Sequence, residues 1–171
     1  MERLWTPWRM SYISSTSEAE QGEHGGSAAE KPACFLCAHG SDTRDKEHFV
    51  LYRAEHGYIL LNLYPYNSGH ILVAPYVHEG DFTQLSPEVG HALFDLTQRA
   101  VAALGQEYKP DGYNVGLNLG RPAGAGLPDH LHVHIVPRWN GDTNYMPVLG
   151  QTKVLPETLD QTWQRLRKHF T

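Results

Sequence analysis

Three histidines recur at every second position of the segment 129–138, which reads DHLHVHIVPR. Because a β-strand directs successive side chains to opposite faces, His130, His132 and His134 are predicted to share one face of a strand. The apolar residues between them are predicted to pack into a core. A row of imidazoles can bind a metal ion, or it can catalyse phosphoryl transfer through one attacking imidazole. The non-functional alternative is a set of hydrogen-bonded or solvated histidines.

A glycine-rich loop, residues 120–128, leads directly into the histidine segment. Exposed backbone N–H groups in such a loop can hold phosphate oxygens. The loop does not match the P-loop pattern, because no Gly-Lys-Ser/Thr follows it. Its position beside three histidines therefore favours a phosphate contact of another type.

The two cysteines of the chain, Cys34 and Cys37, form a Cys-x-x-Cys motif. Such a pair is half of a tetrahedral zinc site and needs two further ligands. A structural disulfide is not expected in a cytosolic protein. A redox motif is expected at a helix start within a βαβ pattern, which the sequence does not show. The remaining alternative is a pair of reduced, buried thiols.

The periodicity of the remaining chain predicts the elements that position these residues. The predicted strands are 49–52, 58–63, 70–75, 113–119 and the histidine segment; the predicted helices are 86–108 and 156–170. Hairpin-like connections between strands indicate an α+β fold with an antiparallel sheet of about five strands and two main helices. Two helices cannot cover every apolar surface of this pattern, so we expect a homodimer.

Composition divides the chain into three segments. Residues 1–13 are rich in aromatic side chains and are predicted to pack on the domain or on a second subunit. Residues 14–32 are small, polar and rich in glycine, so we expect a flexible linker that cannot offset its ordering entropy. Residues 33–171 contain all the predicted elements and are expected to form one domain.

The charge of the chain limits its partners. It has 14 Lys and Arg against 19 Asp and Glu, a net charge of −5 with its 11 histidines neutral. Non-specific nucleic-acid binding depends on clustered basic residues, so no nucleic-acid partner is expected. No run of 18 apolar residues and no apolar N-terminal stretch is present, which predicts a cytoplasmic protein without a membrane partner.

His-x-His-x-His followed by two apolar residues resembles the signature of the histidine triad (HIT) superfamily. The likeness extends to the segment 61–70, LNLYPYNSGH, to the helix 86–108, and to Asn118 with its glycine-rich loop. The opening LWTPWRM and the later run PRWNGDTN resemble a bacterial branch that contains diadenosine tetraphosphate phosphorylases and hydrolases. The resemblance implies the HIT fold and an enzyme that acts on an adenine nucleotide or a dinucleoside polyphosphate.

The resemblance also implies roles for individual residues. His132 is expected to attack the α-phosphate and to form a covalent nucleotidyl-histidine, with its other ring nitrogen donating to a backbone carbonyl. His134 is expected to bind phosphate oxygens, with assistance from His70. The implied substrate contacts are Asn62 on the ribose, and Asn118 with the amides of Gly124, Ala125 and Gly126 on the α-phosphate. No organic cofactor is implied.

Zinc-binding relatives imply a metal site as well. Carried over to this sequence, its ligands are Cys34, Cys37, His78 and His130. A Cys₂His₂ set is a closed structural zinc site. The set would leave His132 and His134 free for chemistry, so the metal and phosphoryl interpretations are compatible.

One departure concerns the leaving group. Many relatives carry Ser or Gln four or three residues before the first triad histidine, whereas this chain has Gly126 and Leu127. Hydrolysis and phosphorolysis therefore both stay open. The alternatives are hydrolysis of adenylyl phosphoramidates or adenylyl sulfate, a catalytic zinc bound by all three triad histidines, and a non-catalytic nucleotide-binding module.

Overall fold

The computed structural model describes residues 34–150 and 152–170, apart from the side chain of Val148. The strands are β1 (Val50–Arg53), β2 (Gly57–Leu61), β3 (Ile71–Pro75), β4 (Gly112–Leu117) and β5 (Val133–Arg138). The α-helices are α1 (Phe35–Ser41), α2 (Pro87–Tyr108), α3 (Met146–Gly150) and α4 (Leu159–Arg167). The predictions for segments 1–13 and 14–32 lie outside the described residues.

The described residues fall into two compact units. Residues 34–140 and 155–170 form the first, which contains all five strands and every predicted site residue. Residues 141–150 and 152–154 form the second, which contains α3. No helix of the described residues is long and apolar enough to cross a membrane.

The five strands form one sheet in the order β1-β2-β3-β5-β4, and every neighbouring pair is antiparallel. β2 and β3 are buried along their whole length, as expected for strands covered on both faces. Among the described strands, β4 forms one edge of the sheet and pairs only with β5. The predicted α+β class and the five-stranded antiparallel sheet are confirmed.

The helix predicted over 86–108 is confirmed as α2. The hydroxyl of Ser86 accepts the N–H of Val89 and caps the first turn. The helix ends at Tyr108, and the C-cap residue Lys109 has a left-handed φ of 47°. α2 and α4 bury their apolar sides on one face of the sheet in a core that includes Leu61, Val73, Leu104, Ile135 and Leu166.

A smaller apolar cluster lies on the opposite face of the sheet, and it includes Leu36 of α1 together with Tyr58 and Leu72 of the strands. Leu72 pairs with His134 across β3 and β5. Because paired residues lie on the same side of a sheet, His134 shares its face with this cluster. The site therefore lies on the face opposite α2.

Three elements differ most from the sequence prediction. The histidine strand begins only at Val133, because the N–H of Leu131 donates to Glu79 O in the loop after β3. α4 begins at Leu159, after a capping box built by Thr158 and Gln161. α1 was not predicted, since seven residues are too few to show helical periodicity.

Candidate functional site

His70, His132 and His134 form one group of imidazoles at the face described above. Nε2 of His70 lies 3.0 Å from Nδ1 of His134. The ring centroids of His132 and His134 are 4.9 Å apart. These three side chains, predicted to be catalytic, therefore come together in the fold, and we call them the histidine array.

The protonation of His132 is set by the main chain. Its Nδ1 lies 2.9 Å from the carbonyl oxygen of His130, and only a protonated Nδ1 can donate to a carbonyl. The neutral ring then keeps an unprotonated Nε2, which is the nitrogen able to attack an electrophile. The expected hydrogen bond between the central histidine and a backbone carbonyl is present.

Burial keeps the histidine array neutral. Burial, and then the neighbouring His132, lowers the pKa of His134 to about 4. Burial, and then the His134 and His132 rings, lowers the pKa of His70 to about 3. Burial also lowers the pKa of His132, against the opposing effect of its bond to the His130 carbonyl. At neutral pH the array holds uncharged imidazoles, the form that a nitrogen nucleophile requires.

Asn62 lies beside the histidine array. Its Oδ1 accepts the N–H of Tyr64 at 2.9 Å, and its Nδ2 lies 3.3 Å from Nδ1 of His70. The carboxamide is thus held between the end of β2 and the His70 ring. Its expected contact with a ribose stays a prediction.

The glycine-rich loop is closed by its own hydrogen bonds. The N–H of Gly124 donates to Arg121 O at 2.8 Å, and the N–H of Ala125 donates to Gly120 O at 3.3 Å. Asn118 donates from Nδ2 to Gly124 O at 3.3 Å and ties the loop to the end of β4. These bonds occupy the amides of Gly124 and Ala125, so a phosphate contact from either would compete with the loop. For Gly126 the described contacts include no such bond.

Four side chains predicted as metal ligands meet in one cluster. Cys34, Cys37, His78 and His130 each offer a donor atom, and all these atoms lie within 4.8 Å of one another. Sγ of Cys37 lies 3.2 Å from Nδ1 of His78 and 3.4 Å from Nδ1 of His130. The two Nδ1 atoms lie 3.3 Å apart. We call these four residues the Cys₂His₂ cluster.

The geometry of this cluster fits a tetrahedral ion. Zinc–nitrogen and zinc–sulfur bonds of about 2.05 and about 2.3 Å place the ligand atoms of a tetrahedral site about 3.3 to 3.8 Å apart. The ring of His130 has its Nε2 2.9 Å from Pro75 O, so Nε2 carries the proton and Nδ1 is left with a lone pair for a metal. Two thiolates would balance the charge of a divalent cation.

Contacts that the sequence did not reveal hold α1, which carries Cys37. The hydroxyl of buried Tyr58 donates to Leu36 O at 2.6 Å. The guanidinium of Arg53 donates to the carbonyls of His39, Gly40 and Asp42 at the end of the helix. Such contacts join positions far apart in sequence, so periodicity carries no signal for them.

A sequence model of the HIT domain matches residues 43–141, which is more than half of the chain. This chain belongs to the HIT domain family. The matched range includes His70, Asn118 and the histidine segment, whereas Cys34 and Cys37 precede it.

Two individual proteins also match this chain in sequence. A protein named AP-4-A phosphorylase from Mycobacterium tuberculosis is 40% identical over 162 residues, covering 95% of this chain and 80% of the relative. A bis(5'-adenosyl)-triphosphatase from Saccharomyces cerevisiae is 33% identical over 94 residues, covering 53% of this chain and 44% of the relative. The prediction of a nucleotide-processing HIT enzyme is confirmed.

A solved structure confirms the HIT fold. The crystal structure of a zinc-bound histidine triad family protein from Mycobacterium smegmatis matches with a TM-score of 0.65 at 28% identity. The match covers 80% of this chain and 92% of that protein. Since this chain has a Cys₂His₂ cluster of suitable geometry, it too has a candidate metal site.

Proposed function

We propose that this HIT protein cleaves dinucleoside polyphosphates at an α-phosphate through a covalent nucleotidyl-histidine on His132. The observation that carries the proposal is the 2.9 Å bond from Nδ1 of His132 to the His130 carbonyl, which leaves Nε2 as an unprotonated nucleophile. The relative named AP-4-A phosphorylase supports the substrate class. The neutral state of the neighbouring imidazoles supports it as well.

In the first step, Nε2 of His132 attacks the α-phosphorus and a nitrogen–phosphorus bond forms. The bond from phosphorus to the bridging oxygen breaks, and the polyphosphate half leaves with the electron pair. The ring of His132 gains a positive charge, which its Nδ1–H shares with the His130 carbonyl. His134 donates to a phosphate oxygen, where negative charge develops.

In the second step, an acceptor oxygen attacks the phosphorus and the nitrogen–phosphorus bond breaks, which restores the neutral imidazole. Water as acceptor gives AMP, and inorganic phosphate as acceptor gives ADP. For diadenosine tetraphosphate the other product is ATP in both cases. The acceptor loses one proton to solvent.

Gly126 and Leu127 leave the polyphosphate half without the Ser or Gln side chain of many relatives. The N–H of Gly126 is the remaining donor of the loop amides predicted to hold phosphate, because Gly124 and Ala125 use theirs within the loop. We therefore assign contact with the α-phosphate to Gly126 and to Asn118, and contact with the ribose to Asn62.

The second part of the proposal is a structural zinc ion in the Cys₂His₂ cluster. A bound ion would join the start of α1, the loop after β3 and the segment before β5, through the cysteines, His78 and His130 respectively. His130 contributes its ring to the cluster, and its carbonyl oxygen accepts the Nδ1–H of His132 in the histidine array. A bound ion would therefore hold the His130 carbonyl in place, and this carbonyl orients the ring of the nucleophile His132.

The third part of the proposal is a homodimer. Val115 and Leu119, at the sheet edge formed by β4 and the residues after it, are half exposed, and Phe94 of α2 is 65% exposed. Within residues 34–150 and 152–170, β4 pairs on one side only, and an edge strand with exposed apolar side chains is a surface that a second subunit can cover. We expect a dimer by analytical ultracentrifugation and a monomer for Val115→Asp.

Product analysis on diadenosine tetraphosphate tests the proposal, with and without inorganic phosphate. ATP and ADP formed only with phosphate identify phosphorolysis, and ATP and AMP identify asymmetric hydrolysis. Two ADP would indicate symmetric hydrolysis and contradict attack at the α-phosphorus. Release of no product from this substrate, with turnover of adenylyl sulfate or an adenylyl phosphoramidate, would contradict the substrate class.

A further inference from the structure

Tyr66 contacts two members of the histidine array. Its ring stacks on the ring of His134, with an interplanar angle of 11° and centroids 5.9 Å apart. The same ring is tilted against His70, with centroids 4.6 Å apart. The N–H of Tyr66 donates to Nδ1 of His70 at 3.1 Å. Tyr66 therefore contacts the histidine array with both its main-chain N–H and its ring.

The N–H of Tyr66 sets the direction of the hydrogen bond between the two imidazoles. Because Nδ1 of His70 accepts this N–H, the neutral ring carries its proton on Nε2. Nε2–H of His70 then donates to Nδ1 of His134 at 3.0 Å. The ring of His134 must in turn carry its proton on Nε2, the nitrogen that faces away from His70.

The loop that carries Tyr66 is anchored to the strand that carries His134. Asn67 is buried, and its Nδ2 donates to Pro137 O at 3.0 Å. Gly69 has a φ of +77°, and a Cβ there would lie 3.0 Å from a methyl group of Leu104. The main chain between Tyr66 and His70 is therefore held at Asn67 and Gly69, while the Tyr66 ring is 47% exposed and is held by its contacts with His70 and His134.

We propose that Tyr66 is a positioning residue of the histidine array, whose N–H fixes the proton order of His70 and His134 and whose ring fixes the plane of His134. The proposal rests on the proposed function for its consequence: Nε2–H of His134 is held ready as a donor to a phosphate oxygen. With the ring of Tyr66 removed, His134 can rotate and lose this orientation.

The direct test is the nitrogen-15 spectrum of the histidine rings, which distinguishes protonated from unprotonated ring nitrogens in the zinc-loaded protein. We expect His70 and His134 to be protonated on Nε2 only. Protonation of His70 on Nδ1 would overturn the proposal. This reading requires no turnover, so it stands apart from success or failure of the proposed function.

The second test removes the ring. We expect Tyr66→Ala to lower kcat about 10-fold to 100-fold with little change in KM, as a misplaced catalytic donor does. Tyr66→Leu serves if the alanine variant melts at a lower temperature. We expect Tyr66→Phe to restore most of the lost activity, because it keeps the ring. Equal activities for the alanine and phenylalanine variants would overturn the role of the ring.

Tyr64→Ala is the matched control, because Tyr64 is 79% exposed and lies two residues earlier in the same loop. A loss of kcat in this variant equal to that of Tyr66→Ala would assign the effect to the loop rather than to Tyr66.

The third test concerns the proton order. His70→Gln places an amide donor near the former Nε2, whereas His70→Asn places its amide near the former Nδ1. We expect the glutamine variant to keep more activity, since it can still donate to His134. The reverse order would contradict the proposed direction of the bond.

Discussion

The histidine array and the Cys₂His₂ cluster use neighbouring imidazoles in opposite ways. In the array, ring nitrogens bond to one another and to the main chain, and one nitrogen of His132 keeps a lone pair. In the cluster, four donor atoms lie within 4.8 Å of one another, and together they would fill the four positions of a tetrahedral metal site. One motif therefore contributes both to the proposed nucleophile and to the candidate metal site.

His130 is the residue that joins the two regions. Its ring lies in the cluster and its carbonyl accepts the Nδ1–H of His132. The cluster should therefore influence catalysis only through position, while the array should have little influence on the cluster.

The largest effect is expected for His132→Ala. Removal of the nucleophile should lower turnover of diadenosine tetraphosphate by about 10³-fold or more. Nucleotide binding, measured by calorimetry, and zinc content should stay close to those of the unmodified protein. His91→Ala, at an exposed site on α2, is the control. Turnover by the His132 variant at the normal rate would end the assignment of the nucleophile.

The next effect is expected for Cys37→Ser. Loss of one thiolate should reduce zinc content and lower the melting temperature by about 5 °C or more, because metal binding contributes to folding stability. Activity should fall as well, since the His130 carbonyl loses its support. Ser41→Ala, exposed on the same helix, is the control. Normal zinc content in the Cys37 variant would contradict metal binding by the Cys₂His₂ cluster.

A smaller effect is expected for Arg53→Lys. Lysine has a single terminal nitrogen and cannot reproduce the forked contacts of the guanidinium with the three carbonyls at the end of α1. The free energy of unfolding should fall by about 1–3 kcal/mol in urea titrations. Zinc affinity should weaken, and KM for nucleotide should stay unchanged. Arg44→Lys, at a solvent-exposed site, serves for comparison. Equal stabilities for both variants would show that α1 needs no such cap.

The smallest effect concerns pH. The pKa values of His70 and His134, about 3 and about 4, lie below the ordinary value of about 6.5. Below about pH 6.5, the unfolded chain therefore binds more protons at these two histidines than the folded chain does. The array's full stabilisation is present above that pH and is lost towards pH 4. Among the described residues, His132, Tyr66 and Asn62 have side chains in contact with this pair, and His132 is the titratable imidazole among them.

We expect the free energy of unfolding to fall by about 1 kcal/mol for each of these histidines between pH 7 and pH 5.5. The difference between the unmodified protein and His70→Asn isolates the array, because both proteins share the pH dependence of the cluster. A difference that stays constant with pH would mean that His70 is not buried in its neutral form.

The sequence predicts the parts of this molecule that repeat or match a motif. The capped helix after Ser86, the buried strand after His70 and the grouping of Cys34, Cys37, His78 and His130 all follow from spacing or resemblance. The stacking of Tyr66 and the cap by Arg53 do not, because they depend on contacts between elements. The loop bonds of Gly124 and Ala125 are equally invisible in sequence, although composition did predict a loop there.

The central claim is that His132 becomes bonded to phosphorus. Its most direct test is mass spectrometry of the protein after incubation with diadenosine tetraphosphate without inorganic phosphate, followed by an alkaline quench that preserves a nitrogen–phosphorus bond. We expect an added adenylyl group on the peptide 129–138, localised to His132. An adenylyl group on another residue, or continued turnover without any adduct, would contradict the account.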